Sequence, residues 1–267
     1  MPLFHLILIA LIQGITEFLP VSSSGHLILL PGLTGIEDQG QAIDVAVHVG
    51  TLGAVILYFR RDVGTALSGL PSLLKGNLDH PGARLLWLLA IATIPVVIAG
   101  LLIKIAGLGE ALRSIEVIGW TMLIFGIVLW VADRNGPSDR VAKDWTLGHA
   151  IQMGLWQAVA LIPGTSRSGI TITGARFLGY ERKDAARLAM LMSIPTILAS
   201  GTLLGLDVIS DANWDLMRDA AIGAAFAFVA ALGALALMMR FLNSYSYTPY
   251  VIYRVILGLI LLAIAYS

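Results

Sequence analysis

Residues 13–26 read QGITEFLPVSSSGH, from Gln13 to His26, between the apolar runs LFHLILIALI and LILLPGL. Within ten residues, Glu17 to His26, they place one carboxylate, three hydroxyls and an imidazole. Pro20 removes a backbone donor and ends a helix, and the small polar residues and Gly25 that follow do not restart a span. PGTSRSG at 163–169 interrupts a second apolar region in the same way. Each half is shorter than the roughly 20 residues needed to cross a bilayer core. Regions of about 1–33 and 147–179 therefore read as re-entrant hairpins, whose broken backbone is tolerated only inside protein or along a wet cavity.

The rest of the chain supplies the setting. Of 267 residues, 57% are hydrophobic and 13% charged, with zero formal net charge; the mean hydropathy of +0.85 lies far outside the soluble range. Six further apolar stretches, about 43–60, 85–104, 115–133, 186–206, 219–240 and 250–266, are long enough to span. Without a Lys/Arg-rich block a nucleic-acid partner is not expected, and without cysteine there is no thiolate chemistry. The fold class expected is an all-α polytopic membrane protein: six transmembrane helices plus two re-entrant helical hairpins in an inverted-topology repeat. It reads as a single integral membrane domain over 1–267, with repeat one at about 1–133 and repeat two at about 147–267.

If both hairpins return to their own side, the loops near 61–84, 134–146, 176–187 and 241–249 share one face. That face gathers 12 of the 17 Lys and Arg, from Arg60 to Arg240 and including Arg176, and by the positive-inside rule it is cytoplasmic. The other face has Lys104, Arg113, Arg218 and the acidic run Asp207, Asp211, Asp215 and Asp219, with both termini extracytoplasmic. The halves echo one another: ALIQGITEFLPVSSSGHLI with GLWQAVALIPGTSRSGITI, Pro95 with Pro195, and Gly126 with Gly258. Inverted repeats with paired broken helices place a site where the breaks face each other, so the two polar stretches are expected to meet.

Glu17 lies one turn beyond Gln13 on the same helix face. A carboxylate inside a membrane marks a functional site by default, the alternative being a structural ion pair. Arg167, flanked by Ser166, Ser168 and Gly169, carries a forked donor suited to phosphate or carboxylate oxygens, or simply neutralises Glu17. His26 follows Gly25 at the start of a half-helix, where N–H groups favour an anion. Ser22, Ser23, Ser24, Thr165, Ser166 and Ser168 are individually weak signals, because hydroxyls routinely cap and cross-link membrane helices. Together the set offers an oxyanion cradle, a cation, a base and nucleophiles, the requirements of phosphoryl transfer.

QGITEFLPVSSSGH and PGTSRSG resemble the two motifs of the bacterial undecaprenyl-diphosphate phosphatase family of the bacitracin-resistance type, whose first motif is (E/Q)xxxE followed by PVSSxGH. The likeness covers nearly the whole chain, including DVAVHVGTLGAV around His48 and SIP at Pro195. It implies hydrolysis of undecaprenyl diphosphate to the monophosphate carrier at the extracytoplasmic side of the bacterial inner membrane, recycling the carrier for peptidoglycan synthesis. Residue by residue, it gives Glu17 the role of essential acid and matches Gln13, Ser23, His26 and Arg167 to the other functional positions. Substrate contacts are expected from Gln13, Ser22, Ser24, Gly25, Thr165, Ser166, Ser168 and Gly169. Gln13 stands where some members carry Glu, so a two-carboxylate cation site is doubtful in this chain. Mg2+ or Ca2+ can arrive with the diphosphate, Glu17 being its one evident protein ligand; no organic cofactor is expected.

The expected partners are the polyprenyl diphosphate and membrane lipids, with a homodimer left open. The nucleophile is open among Ser23, His26 and water. A transporter or flippase of a lipid phosphate would share the inverted repeat. The type 2 phosphatidic-acid phosphatase family, matched only in SGH and SR, needs a second His beyond the Arg that ITITGARFLG lacks.

Overall fold

Both breaks fall where Pro20 and Pro163 put them. In the computed structural model, which describes residues 1–34, 40–109, 111–208 and 214–267, the first apolar region forms α1, Leu3–Phe18, and α2, Ser23–Thr34. The second forms α8, Leu147–Val159, and α9, Arg167–Phe177. Between them lie α3 (Gln41–Tyr58), α4 (Arg60–Ser68), α5 (Leu70–Leu74), α6 (Pro81–Ile105) and α7 (Ile115–Asn135). After them come α10 (Arg182–Val208), α11 (Trp214–Phe241) and α12 (Thr248–Ala265). Among the described residues α3, α6, α7, α10, α11 and α12 are long and apolar enough to cross a membrane, the six stretches anticipated. Asp211 lies outside the described residues.

Leu19 turns extended as the residue before a proline tends to, and Val21 N–H closes a tight turn on Leu19 O at 2.7 Å. Ser22 then adopts φ 73° and Ser166 φ 70°, a region costly for a residue with a side chain, by about 1–3 kcal/mol each. Each caps the helix after it: Ser22 Oγ accepts from Gly25 N–H at 3.3 Å and Ser166 Oγ from Gly169 N–H at 3.1 Å. Ser22-Ser23-Ser24-Gly25 and Ser166-Arg167-Ser168-Gly169 are thus one backbone device used twice. Counting forward from the prolines would instead set Ser23 opposite Ser166; the dihedral angles set it opposite Arg167.

Packing is reciprocal between halves. α1 lies along α11, α8 lies along α6, α3 packs on α11, α10 on α6, and α7 on α12. Gly126 and Gly258 lie on the packed pair α7 and α12, and Pro95 and Pro195 on the packed pair α6 and α10. Arg176 departs from its expected place among the loop cations. It is 1% exposed in the last turn of α9, 3.2 Å from Asp133 Oδ1, and donates to the carbonyls of Asp133, Gly136, Pro137 and Tyr180. Beside it, in the turn before α10, burial pushes the Tyr180 hydroxyl up to about 12.

Helices approach closest where side chains are absent. A Cβ on Gly50 would stand 2.2 Å from Ala224 O, so α3 and α11 are in backbone contact there. Gly50→Ala is therefore expected to cost about 1–3 kcal/mol or more, read as a lower thermal midpoint in detergent. Gly64→Ala in α4, where a Cβ meets nothing within 4 Å, should be neutral or slightly stabilising. Equal midpoints for the two would disprove the contact.

Candidate active site

The breaks meet across Glu17. On the last turn of α1, only 7% exposed, it receives the Arg167 guanidinium on Oε1. Its Oε2 accepts from Ser23 Oγ at 2.6 Å and from Gln13 Nε2 at 2.8 Å. Arg167 also donates to Ser193 O in α10 at 3.2 Å, and Ser168 Oγ bridges back to Leu19 O at 2.9 Å. Thr121 Oγ1 in α7 holds Pro163 O at 2.6 Å. Ser23 and Arg167, each the first residue of its half-helix, approach the same carboxylate from opposite sides because the repeated device places them equivalently.

A cavity of about 220 Å³ opens on this pair. Its lining combines Glu17, Ser22, Ser23, Ser24, Ser166 and Arg167 with apolar Val96, Ala160, Leu161 and Ile197, and with Thr196 and Ser200 of α10. A cation, a carboxylate with a hydroxyl hydrogen-bonded to it and several hydroxyls can bind a phosphate group and move a proton beside it. The apolar residues suit a hydrocarbon.

Not every anticipated residue is in that lining. His26 is turned away from the cavity: Nδ1 is 2.7 Å from Ser22 O, Nε2 is 2.5 Å from Tyr253 Oη, and the two rings stack at 5.7 Å. An imidazole beginning a helix reaches the carbonyl before it, and α12 occupies the space beyond. Gln13 is fully buried behind Glu17, Thr165 is fully buried, and Ser168 is used up in bonds to Ser166 and Leu19. The Gly25 and Gly169 N–H groups, expected to face an anion, are taken by the capping serines. Ser22 and Ser24, by contrast, do line the cavity, 3.3 Å apart.

His48 and Gln157 are among the cavity residues that the sequence reading passes over. His48 of α3 has Nε2 3.9 Å from Glu17 Oε2, with Nδ1 tied to Asp44 O at 2.7 Å. Gln157 donates to Thr196 Oγ1 at 3.0 Å and leaves its buried Oε1 without a partner. The signal for His48 and Gln157 was a polar residue within an apolar helix, the same reasoning that picked out Glu17. Divalent-cation binding fits these donors poorly. Both Glu17 oxygens are engaged, and no group of three or more His, Asp or Glu that could hold a metal occurs among the described residues.

Fold and site together define an all-α, multi-pass membrane protein with a cavity lined by a buried carboxylate, an arginine and serines between two broken helices. The family model described as bacitracin resistance protein BacA matches residues 6–260, and the chain belongs to that family. It is 70% identical over the full length of both chains to a protein named undecaprenyl-diphosphatase from Ruegeria pomeroyi, and 69% identical over the full length of both to one of the same name from Dinoroseobacter shibae. A more distant relative of that name, from Teredinibacter turnerae, is 48% identical over 98% of each chain. These relatives lend the transporter reading no support.

Removing either member of a buried pair strands the other charge. Glu17→Gln and Arg167→Met are each expected to destabilise the protein by about 3–5 kcal/mol, measured as loss of thermal midpoint in detergent. The double variant should lose clearly less than the sum, and strict additivity would show that the two charges do not interact.

Proposed function

We propose that this chain hydrolyses undecaprenyl diphosphate to undecaprenyl phosphate and inorganic phosphate. The observation that carries the reading is the Ser23 hydroxyl, 2.6 Å from a carboxylate that Arg167 also contacts, inside a cavity lined by both polar and apolar residues. The diphosphate enters beside Arg167, whose forked donors it shares with Glu17 and then draws away. With Arg167 drawn off Oε1, the carboxylate becomes a stronger base at Oε2, where Ser23 is hydrogen-bonded. Ser23 Oγ gives its proton to Glu17 and attacks the terminal phosphorus, and the bond to the bridging oxygen breaks, releasing the lipid monophosphate. Glu17 passes that proton on to His48 and is again ionised; it then takes a proton from water as the water displaces the serine oxygen, and returns it to Ser23 Oγ, yielding phosphate.

His48, the imidazole that faces the cavity, is placed to protonate the leaving oxygen. His26, hydrogen-bonded at both nitrogens outside the cavity, orients the first break. Ser22, Ser24 and Ser166 line the phosphate's path, while Gln13 holds Glu17 from behind. A Mg2+ or Ca2+ ion taking part would travel on the diphosphate, since the described residues offer it no cage.

In this reading the repeats are inverted, supported by the reciprocal packing of α1 on α11 and α8 on α6. The basic loops face the cytoplasm of the bacterial inner membrane, and the site opens to the other side, where the product returns to the carrier pool for peptidoglycan synthesis. Phosphate release from a polyprenyl diphosphate by the purified chain in detergent, with no second compartment, tests the activity. Ser23→Ala is expected to lose about 100-fold or more in kcat, and Arg167→Lys to lose turnover well beyond any loss of folding. A Ser23→Ala rate within about tenfold of the parent, about 1.4 kcal/mol of barrier, would make water the nucleophile.

A further inference from the structure

Arg254 sits midway along α12, fully buried. Among the described residues no carboxylate lies within ion-pair distance of it. Its guanidinium instead donates to carbonyls: Thr165 O at 2.8 Å, Gly164 O at 3.1 Å, Thr121 O at 3.4 Å and Pro20 O at 3.5 Å. Three of these belong to the breaks, Pro20 to the first and Gly164 and Thr165 to the second. The fourth is on α7, whose Thr121 hydroxyl already holds Pro163 O. The path to this position is kept clear by glycine: a Cβ on Gly169 would stand 2.9 Å from Arg254 Nη1, and one on Gly126 3.2 Å from its Cβ.

A cation buried in an apolar setting is retained only when backbone or side-chain acceptors offset its lost hydration. Here three of the four acceptors, Pro20 O, Gly164 O and Thr165 O, are carbonyls left without a helical partner because the helices stop, and the fourth, Thr121 O, lies within α7. One rigid fork therefore satisfies both breaks at once, from the side opposite the cavity. Ser22 and Ser166 are held at unfavourable φ in the same two segments, and such conformations persist only where the surroundings over-determine them. The neighbouring residue, Tyr253, reaches His26 of the first break.

We propose that Arg254 is a positioning residue for the phosphate site: its guanidinium clamps the two breaks together from behind and so fixes Ser23 and Arg167 on either side of Glu17. The inference rests on the reading that this cavity turns over a lipid diphosphate. A clamp acts through geometry. Loss of the fork lets the breaks shift relative to each other, and a displacement of about 1 Å between reacting groups can cost about 100-fold in rate.

The test compares the full-length parent with Arg254→Met, which keeps volume without charge, and Arg254→Lys, which keeps charge without the fork. Two quantities are read on protein that elutes as a single species: kcat and KM for a polyprenyl diphosphate, and the rise in thermal midpoint caused by inorganic pyrophosphate. We expect Arg254→Met to lose about 100-fold in kcat, to change KM far less, and to show no pyrophosphate shift. Arg254→Lys should regain only a minor part of the rate. A purely structural role would lower the yield of folded protein and leave kcat per folded molecule within about threefold, a small barrier change; that result overturns the proposal. So does an Arg254→Lys variant equal to the parent, which would show that charge alone suffices.

Should Arg254→Met fail to fold, Gly169→Ala displaces the same guanidinium from its other side and is expected to give the same kcat loss. A parent without turnover defeats the functional reading, and the pyrophosphate shift then still judges the clamp: present in the parent and absent in the variants supports it, present in both overturns it.

Discussion

A charge buried in a membrane protein needs a partner, and Glu17 and Arg167 supply each other's. Glu17 ends one half-helix and Arg167 begins another 150 residues later, and each alone would face a desolvation cost of several kcal/mol. Pairing offsets that cost only if the two breaks are brought into contact, and the other long-range links follow from the contact. Ser168 can then reach Leu19 O, Thr121 can hold Pro163 O, and Arg254 finds the carbonyls of both breaks in one place. The ion pair is thus a folding constraint as well as a chemical group. On the function proposed above, substrate phosphate would compete for the same guanidinium and so couple anion entry to the freeing of the carboxylate.

The six spanning helices and both breaks were legible because their causes are local. Apolar length specifies a span, and proline followed by small polar residues specifies its interruption. The meeting of the breaks was legible from the repeat, and Glu17 and Arg167 from the cost of charge in an apolar segment. What the sequence hid was orientation. His26 has the composition of a site residue, yet an imidazole that bonds its own preceding carbonyl is directed by the turn, not by the motif. Gly25 and Gly169 looked available to an anion until their N–H groups were seen to be capped. Arg254 escaped because it belongs to no loop and no polar cluster. Its acceptors are backbone carbonyls, which one-dimensional sequence does not display.

Reuse of one device explains how a short chain assembles a two-sided site. Ser-x-Ser-Gly, with its first serine at positive φ and that serine's hydroxyl capping the glycine N–H, fixes the direction of residue x at the start of each half-helix. In one copy x is Ser23 and in the other it is Arg167. Both therefore point at the carboxylate, one with a hydroxyl and one with a cation.

The cavity's mixed lining also accounts for how such a site can lie within the helix bundle. A lipid diphosphate has a highly charged head and an apolar chain, so a cleft reaching the head from water alone would have to draw the first carbons of the chain out of hydrocarbon. Transfer of each methylene to water costs about 0.8 kcal/mol. The two breaks place Glu17, Ser23 and Arg167 in one cavity with Val96, Leu161 and Ile197. On the function proposed above, head and chain would be received there together. The exposed carbonyls left by the breaks are the unavoidable cost of this arrangement, and a buried arginine without an acid is the group best suited to meet them.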